Sequence, residues 1–189
     1  MKIAKCSLFI LSVLVFSVSI AACTPPAQTI PPLGTEMIVN GDFSAGLSPW
    51  TSYTMNGAAA TASVESGELH VTIANGGTIP ADIQVSQGAG ISPVLVCVAG
   101  RNYRLQFDAR ADVDRTLTTS IWENGHDVDN SGFAYDTYCY TTYNITTTLS
   151  TYSVDFTMPI TNYHAGLAFF CGNDTTDLYI DNVSFKEIP

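Results

Sequence analysis

Apolar and polar residues alternate along most of the chain after residue 36, which is typical of half-buried β-strands. The alternating segments are residues 69–73, 83–85, 103–110, 117–122, 152–158 and 178–180. Turn-forming pairs separate them, among them Asn56-Gly57, Ser66-Gly67 and Ala99-Gly100. No segment past residue 36 keeps apolar residues at helical spacing. The pattern predicts an all-β fold, a jelly-roll β-sandwich of two antiparallel sheets with about eight or more strands.

The first 22 residues predict an export signal. Lys2 and Lys5 are followed by residues 7–22, which carry no charge and end in Ile20-Ala21-Ala22 directly before Cys23. This ending resembles a bacterial lipobox, in which the thiol of Cys23 is acylated after cleavage. An ordinary cleavage site and an uncleaved anchor helix remain alternatives. We expect an exported protein that is lipid-anchored to the bacterial cell envelope, at the outer or the cytoplasmic membrane.

Residues 23–36 are rich in proline and predict an extended tether rather than a helix. Residues 37–189 then remain as one unit, long enough for a single well-buried core.

Three cysteines remain in the body once Cys6 leaves with the leader and Cys23 is acylated. An exported protein favours one disulfide among them, which leaves one free thiol. Cys139 with Cys171 is the predicted pair, although spacing alone does not decide the connectivity and Cys97 stays open as a partner.

The charge of the chain excludes one class of partner. It has 7 Lys+Arg against 17 Asp+Glu and a formal net charge of −10. Beyond the leader, Lys186 is the only lysine. A protein that binds nucleic acid by neutralising phosphates needs clustered cations, so we expect no nucleic-acid partner.

Motifs at the two ends of the body resemble the carbohydrate-binding modules of families 4 and 9. Residues 38–43 read Ile-Val-Asn-Gly-Asp-Phe, residues 47–50 read Leu-Ser-Pro-Trp, and residues 179–185 read Tyr-Ile-Asp-Asn-Val-Ser-Phe. Between them, residues 82–85, 99–110 and 152–157 follow in the same order as in those modules. The resemblance covers residues 37–189. It implies a jelly roll that binds plant or algal polysaccharide, commonly beside a glycoside hydrolase.

Candidate sugar contacts lie on the polar phase of the predicted strands, because sugars are bound by stacked rings and by planar polar groups. They are Trp122, Arg110, Gln84 and Gln106, with Tyr135 and Tyr138 from a second aromatic group in which Tyr138 and Tyr140 share a face. Trp122 in one groove with Arg110 and Gln84 would favour sugar binding. Packing under a loop is the alternative for Trp122, and an ion pair with Asp108 or Asp112 is the alternative for Arg110.

Two further positions bear on the sugar site. Trp50 is a possible sugar platform, but a core position behind the first strand is favoured. Ala81 stands where related modules often place a tryptophan, so one stacking platform is missing.

The resemblance also implies a structural calcium ion. Asp181 is the first candidate ligand, with Asp42 and Glu68 beside it, since calcium needs several oxygen ligands. Ser44 stands where the family often has glutamate, which removes one possible ligand.

No catalytic motif is recognisable. His70, His126 and His164 are far apart in sequence, and no nucleophile elbow, phosphate loop or Cys-x-x-Cys pair is present. We therefore expect a non-catalytic, membrane-tethered protein that binds polysaccharide or oligosaccharide for partner glycoside hydrolases or uptake systems. Two alternatives are a small jelly-roll glycoside hydrolase or polysaccharide lyase, and an envelope interaction protein that has lost sugar binding.

Overall fold

The computed structural model describes residues 29–88, 93–123 and 136–189, which form β-strands and one short 3₁₀ turn, Pro80–Asp82. The strands are β1 Thr51–Thr54, β2 Ala59–Glu65, β3 Glu68–Asn75, β4 Ile83–Gly88, β5 Leu95–Cys97, β6 Asn102–Ala111, β7 Arg115–Glu123, β8 Thr137–Ile145, β9 Ser150–Thr157, β10 Asn162–Phe170 and β11 Leu178–Ile188. The predicted leader, Cys23 and the first part of the tether lie outside the described residues. Within them, no helix has the length and apolar character needed to span a bilayer.

Two antiparallel sheets share the strands. Sheet A has the order β1-β4-β10-β7-β8, with β5 pairing on β10, and sheet B has the order β2-β3-β11-β6-β9. Apart from the pairs β2-β3 and β7-β8, the neighbouring strands of these orders are not consecutive in sequence, as in β10 between β4 and β7, so the sheets interleave along the chain. The predicted all-β jelly-roll sandwich is confirmed.

The core lies between the sheets and is rich in aromatic rings. Phe107 of β6 in sheet B contacts Phe169 of β10 edge-on, with ring centroids 5.2 Å apart, and Tyr143 of β8 in the same manner at 5.1 Å. Both partners belong to sheet A. Burial of one phenylalanine side chain contributes about 1.5–3 kcal/mol, so these rings are a main attachment of one sheet to the other.

Residues 37–43, which we call the opening segment, run along β11. Met37 N donates to Phe185 O at 3.0 Å, and Val183 N donates to Gly41 O at 2.9 Å. A Cβ on Gly41 would lie 2.0 Å from Val183 O, so only glycine permits this approach. The two terminal motifs of the sequence therefore meet in space.

Val39 of the same segment is held by sheet A. The buried amide of Gln87 in β4 donates to Val39 O and accepts from Val39 N, each at 2.8 Å. The opening segment thus bridges both sheets, and every polar group of the buried amide side chain has a partner.

Trp50 is a core residue, as favoured from the sequence. Its side chain is 3% exposed, and its ring packs against Phe43 and Phe169 at 5.5 and 5.9 Å between centroids. Its indole N–H donates to Asn40 O at 3.1 Å. The tryptophan therefore anchors the opening turn and faces no ligand.

The predicted disulfide between Cys139 and Cys171 is wrong: both thiols are free, as is that of Cys97. Cys139 lies on β8 opposite Ile121, which pairs with Leu167 on β10. Strand β7 separates the two strands by about 10 Å in total. Cys171 lies four residues beyond Leu167, so its Cα is well outside the roughly 7 Å that a disulfide allows.

Asp82 organises the connection that leads into β4. Its carboxylate is shielded from solvent and accepts from Thr78 N at 2.7 Å, Ile79 N at 3.1 Å and Asn56 Nδ2 at 2.7 Å. These hydrogen bonds, led by that from Thr78, lower the pKa of Asp82 to about 2. The carboxylate ties the β1–β2 turn to the start of β4, the strand that carries Gln84.

We predict that Asp82→Asn lowers the free energy of unfolding at neutral pH and weakens its acid dependence. The folded pKa lies below the unfolded value near 3.9, so the stabilisation is present above about pH 4 and is lost as the pH falls towards 2. Urea unfolding of both proteins between pH 7 and pH 2 measures it. Parallel curves for the two proteins across that interval would contradict the prediction.

Candidate functional site

The outer faces of the two sheets differ in charge. Sheet B carries ion pairs on its outer face, including Arg104–Asp155 and Arg110–Glu68, each 2.6 Å between nitrogen and oxygen. On sheet A, strand register aligns three rows of outward residues, and none of the residues in these rows is charged. The rows are Tyr53, Gln84, Phe170, Thr118 and Thr142; Thr51, Ser86, Ala168, Ser120 and Tyr140; and Gly88, Gly166, Trp122 and Thr137.

The middle row forms the floor of a groove that crosses the strands. Its central residues are small, and Ala168 and Ser120 are almost inaccessible to solvent although they lie on the outer face. Phe170 lies in the row on one side and Trp122 in the row on the other. These rows are about 13 Å apart, and the sheet is about 19 Å wide from β1 to β8. We call this surface the sheet A groove.

Three aromatic residues follow the sheet A groove from one edge of the sheet to the other. Tyr53 on β1 is 62% exposed and Tyr140 on β8 is 57% exposed. Phe170 lies between them on β10, and its ring centroid is 6.1 Å from that of Tyr140. An extended ligand that crosses the strands would therefore meet a ring at both edges and in the middle.

Comparison with known families identifies the chain. A family model of carbohydrate-binding domains, covering families 4 and 9, matches residues 35–176. The chain belongs to this family. No curated protein matches it in sequence.

Solved structures agree with the family. The module is similar to a structure of a family 4 carbohydrate-binding module, with 25% identity, a TM-score of 0.66, and coverage of 80% of this chain and 99% of the other. It is also similar in fold to the N-terminal cellulose-binding domain of a β-1,4-glucanase from Cellulomonas fimi (20% identity, TM-score 0.58, coverage 85% and 99%). A xylan-binding domain from Paenibacillus barcinonensis shares the fold at 11% identity and a TM-score of 0.56, with coverage 84% and 98%.

Two of the predicted sugar contacts lie in the sheet A groove of the module. Trp122 on β7 is half-buried and stands opposite Gly166, which has no side chain to compete for the space above the strand. Gln84 lies in the row of Phe170, and its Nε2 donates to Ala81 O at 3.0 Å. That bond holds the amide in one orientation at the β4 side of the groove.

Arg110 and Gln106 lie elsewhere, so Arg110 does not share a groove with Trp122 and Gln84, which is the arrangement that would have favoured sugar binding. Both belong to β6 of sheet B, and their outward phase puts them on the opposite side of the sandwich. The Arg110 guanidinium pairs with Glu68 and lies 3.7 Å from the ring centroid of Tyr179. Sequence alternation shows which residues leave the core, but it does not show which of the two sheets they belong to.

Tyr138 does not share a face with Tyr140, contrary to the sequence prediction. A β-bulge lies at the start of β8, between Thr137 and Cys139, because Ile121 pairs with Cys139 whereas Trp122 pairs with Thr137. Tyr138 is the extra residue, and its hydroxyl donates to the buried Glu123 at 2.7 Å. Tyr135, the other predicted tyrosine, lies outside the described residues.

Tyr53 and Phe170 were not predicted from the sequence. Tyr53 belongs to a strand of four exposed residues, which shows no apolar alternation. Phe170 follows another phenylalanine in a run of β10 that is buried on both faces, so its direction cannot be inferred from its neighbours. The pair Phe169-Phe170 could have indicated an outward ring, because consecutive strand residues point to opposite faces and only one of the two can face the core.

Two of the predicted calcium ligands, Asp181 and Glu68, lie on sheet B, and Asp42 lies in the turn before β1. Asp181 of β11 is opposite Asp108, and burial, followed by the charges of Glu68, Asp108 and Asp42, raises its pKa. The carboxylates have other partners, however, since Glu68 pairs with Arg110 and Asp42 accepts from Ser44. Among the residues that the structure describes, no three acidic, histidine or cysteine side chains converge as metal ligands. Calcium binding at Asp181 therefore stays a prediction from the family.

Proposed function

We propose that the module binds a stretch of an uncharged polysaccharide chain in the sheet A groove. The observation that carries the proposal is the line of Tyr53, Phe170 and Tyr140 across three rows of residues that contain no charge. Aromatic rings stack on the C–H faces of sugars, and both edge rings are already exposed to receive them. A chain that crosses the strands would occupy the groove along its full width.

Polar groups of the groove are suited to sugar hydroxyls. Gln84, Ser86 and Thr118 supply amide and hydroxyl groups that both donate and accept hydrogen bonds. A neutral ligand is not repelled electrostatically. A polyanion would be repelled by a protein of net charge −10, and it would find no cation in the three rows to pair with. The groove therefore favours glucan-like or xylan-like chains over uronate-rich ones.

Tyr53 supplies an aromatic ring at the edge where the family often has tryptophan and this chain has Ala81. Tyr53 pairs with Gln84, three residues after Ala81, so both positions lie near the β1 edge of sheet A. This residue favours a retained sugar site over an envelope protein that has lost it.

The proposal extends to location and partners. Acylation of Cys23 would hold the protein on a membrane, and residues 23–33 would separate the module from the lipid, since Gly34 N already donates to Glu187 O of β11. In that position the module would present polysaccharide to glycoside hydrolases or uptake systems. The groove rows supply no carboxylate, so they contain no acid/base pair for glycoside hydrolysis.

We predict that Tyr53→Ala and Tyr140→Ala each weaken polysaccharide binding roughly two- to tenfold, since one aromatic contact contributes about 0.5–1.5 kcal/mol. The melting temperature should change little, because both rings are largely exposed. Affinity electrophoresis of the full chain against glucans, xylans, mannans and laminarin measures the binding.

Gln106→Ala is the matched control, since Gln106 is an exposed polar residue on the opposite sheet. It should leave retardation unchanged. An equal loss of retardation in all three variants would mean that the sugar binds outside the sheet A groove. No retardation of the folded wild-type chain by any polysaccharide would favour the envelope interaction protein.

Calcium binding stays a prediction from the family. If an ion binds beside Asp181, calcium should raise the melting temperature and Asp181→Asn should abolish that rise, because the ion would relieve repulsion among the carboxylates. Thermal unfolding with calcium and with chelator measures it. Identical melting in both solutions would exclude a structural ion.

Lipid anchoring is tested at Cys23. We expect the wild-type protein to fractionate with membranes and Cys23→Ser to abolish acylation, because serine has no thiol to carry the lipid. Metabolic labelling with a fatty acid, followed by fractionation, measures both. Equal labelling of the two proteins would contradict the lipobox assignment.

A further inference from the structure

A buried hydrogen-bond network closes the end of β7 beside the sheet A groove. Glu123 is inaccessible to solvent. Its Oε2 accepts from the Tyr138 hydroxyl at 2.7 Å and from Asn162 Nδ2 at 3.0 Å. Asn162 Nδ2 also lies 2.7 Å from the Tyr138 oxygen. One residue of β7 is thereby joined to both neighbouring strands, immediately after Trp122.

The network depends on the bulge in β8. With the bulge, Tyr138 lies on the same side as Glu123, towards the core. Without it, regular pairing from Ile121–Cys139 would put Tyr138 opposite Trp122 and Thr137 opposite Glu123. Tyr138 would then join Tyr140 on the groove face, as alternation along β8 predicts. The same ring therefore has two available positions, and they differ by one residue of register.

The bulged pairing is stabilised by Glu123, because it brings the Tyr138 hydroxyl within hydrogen-bond distance of the buried carboxylate. A buried carboxylate costs free energy unless hydrogen bonds compensate it, and Oε1 of Glu123 has no hydrogen-bond partner among the residues that the structure describes. The donors on Oε2 are therefore the ones that Glu123 depends on. Asn162 is fixed in turn, because its Oδ1 accepts from His164 N at 2.6 Å.

The Tyr138 hydroxyl is suited to remain a donor. Burial, together with the hydrogen bond to Glu123, raises the pKa of Tyr138 far above its ordinary value. The phenol is thus protonated throughout the physiological pH range, so its hydrogen bond to Glu123 does not depend on pH within that range.

We propose that Glu123 and Asn162 are positioning residues that hold Tyr138 away from the sheet A groove and so determine which aromatic rings a glycan meets. With Tyr138 held inside, Trp122 faces Gly166 on one side and Thr137 on the other. With Tyr138 released, a second ring would stand beside Trp122 and narrow the groove. This inference rests on the proposed sugar site, but its structural part is testable without sugar.

The experiment is nitration of tyrosines in the full chain by tetranitromethane, with each site quantified by peptide mass spectrometry. Tyr53 and Tyr140 are exposed references, and Tyr103, which is 1% exposed, reports unfolding. Tyr138 should be protected in the wild-type chain. In Glu123→Leu its nitration should rise about tenfold or more, the factor expected when a hydrogen bond to a charged group is lost.

Glu123→Gln is the matched control, because the amide oxygen still accepts from Tyr138 and should keep it protected. Leucine at 123 removes a buried charge and is expected to fold. If Tyr103 nevertheless becomes reactive, Asn162→Asp supplies a second test, since it keeps the acceptor for His164 N and replaces the donor to Glu123 by an oxygen.

Glycan affinity completes the test. Glu123→Leu should change affinity about three- to tenfold, as one added aromatic contact would, and Glu123→Gln should not. Tyr138 nitrated as fast as Tyr140 in the wild type, or protected in both folded variants, would overturn the proposal. Exposure of Tyr138 without any glycan binding by the wild type would confirm the positioning and refute the sugar site.

Discussion

Contact between Phe107 and Phe169 is the interaction on which the rest of the structure depends. The two rings come from different sheets, and their edge-on contact sets the sheets face to face over a common core. Each strand has only two faces, so the choice of one face for the core assigns the other to solvent. In β10 this choice separates consecutive residues: Phe169 enters the core, and Phe170 lies on the sheet A groove. The core and the candidate sugar site are therefore two sides of the same strand.

The two outward faces then acquire different chemistry. Sheet B carries paired cations and carboxylates, which suit a solvated surface. Sheet A carries rings at both edges and on the central strand β10, without charge in the three rows of the groove. The small residues Ala168 and Ser120 lie low between the rows of Phe170 and Trp122. A long neutral ligand fits such a surface better than a compact charged one.

Small changes in register have large consequences at this groove. One extra residue in β8 turns Tyr138 from the groove to the core, where its hydroxyl is hydrogen-bonded to Glu123 and Asn162. Elsewhere in the molecule, the close approach of Gly41 to Val183 lets the opening segment lie along β11. Both features place side chains by backbone geometry rather than by apolar alternation.

The sequence by itself determined the all-β class, the sandwich, the family and the core role of Trp50, because strand alternation and the two terminal motifs are local properties of the chain. It also indicated Trp122 and Gln84 as outward residues. Tertiary structure alone decided that Arg110 belongs to the opposite face, that Cys139 and Cys171 are too far apart to pair, and that Tyr53 and Phe170 line the groove with Tyr140. The physical reason is that alternation tells inside from outside within one strand, whereas a binding face is made by the order in which distant strands pair.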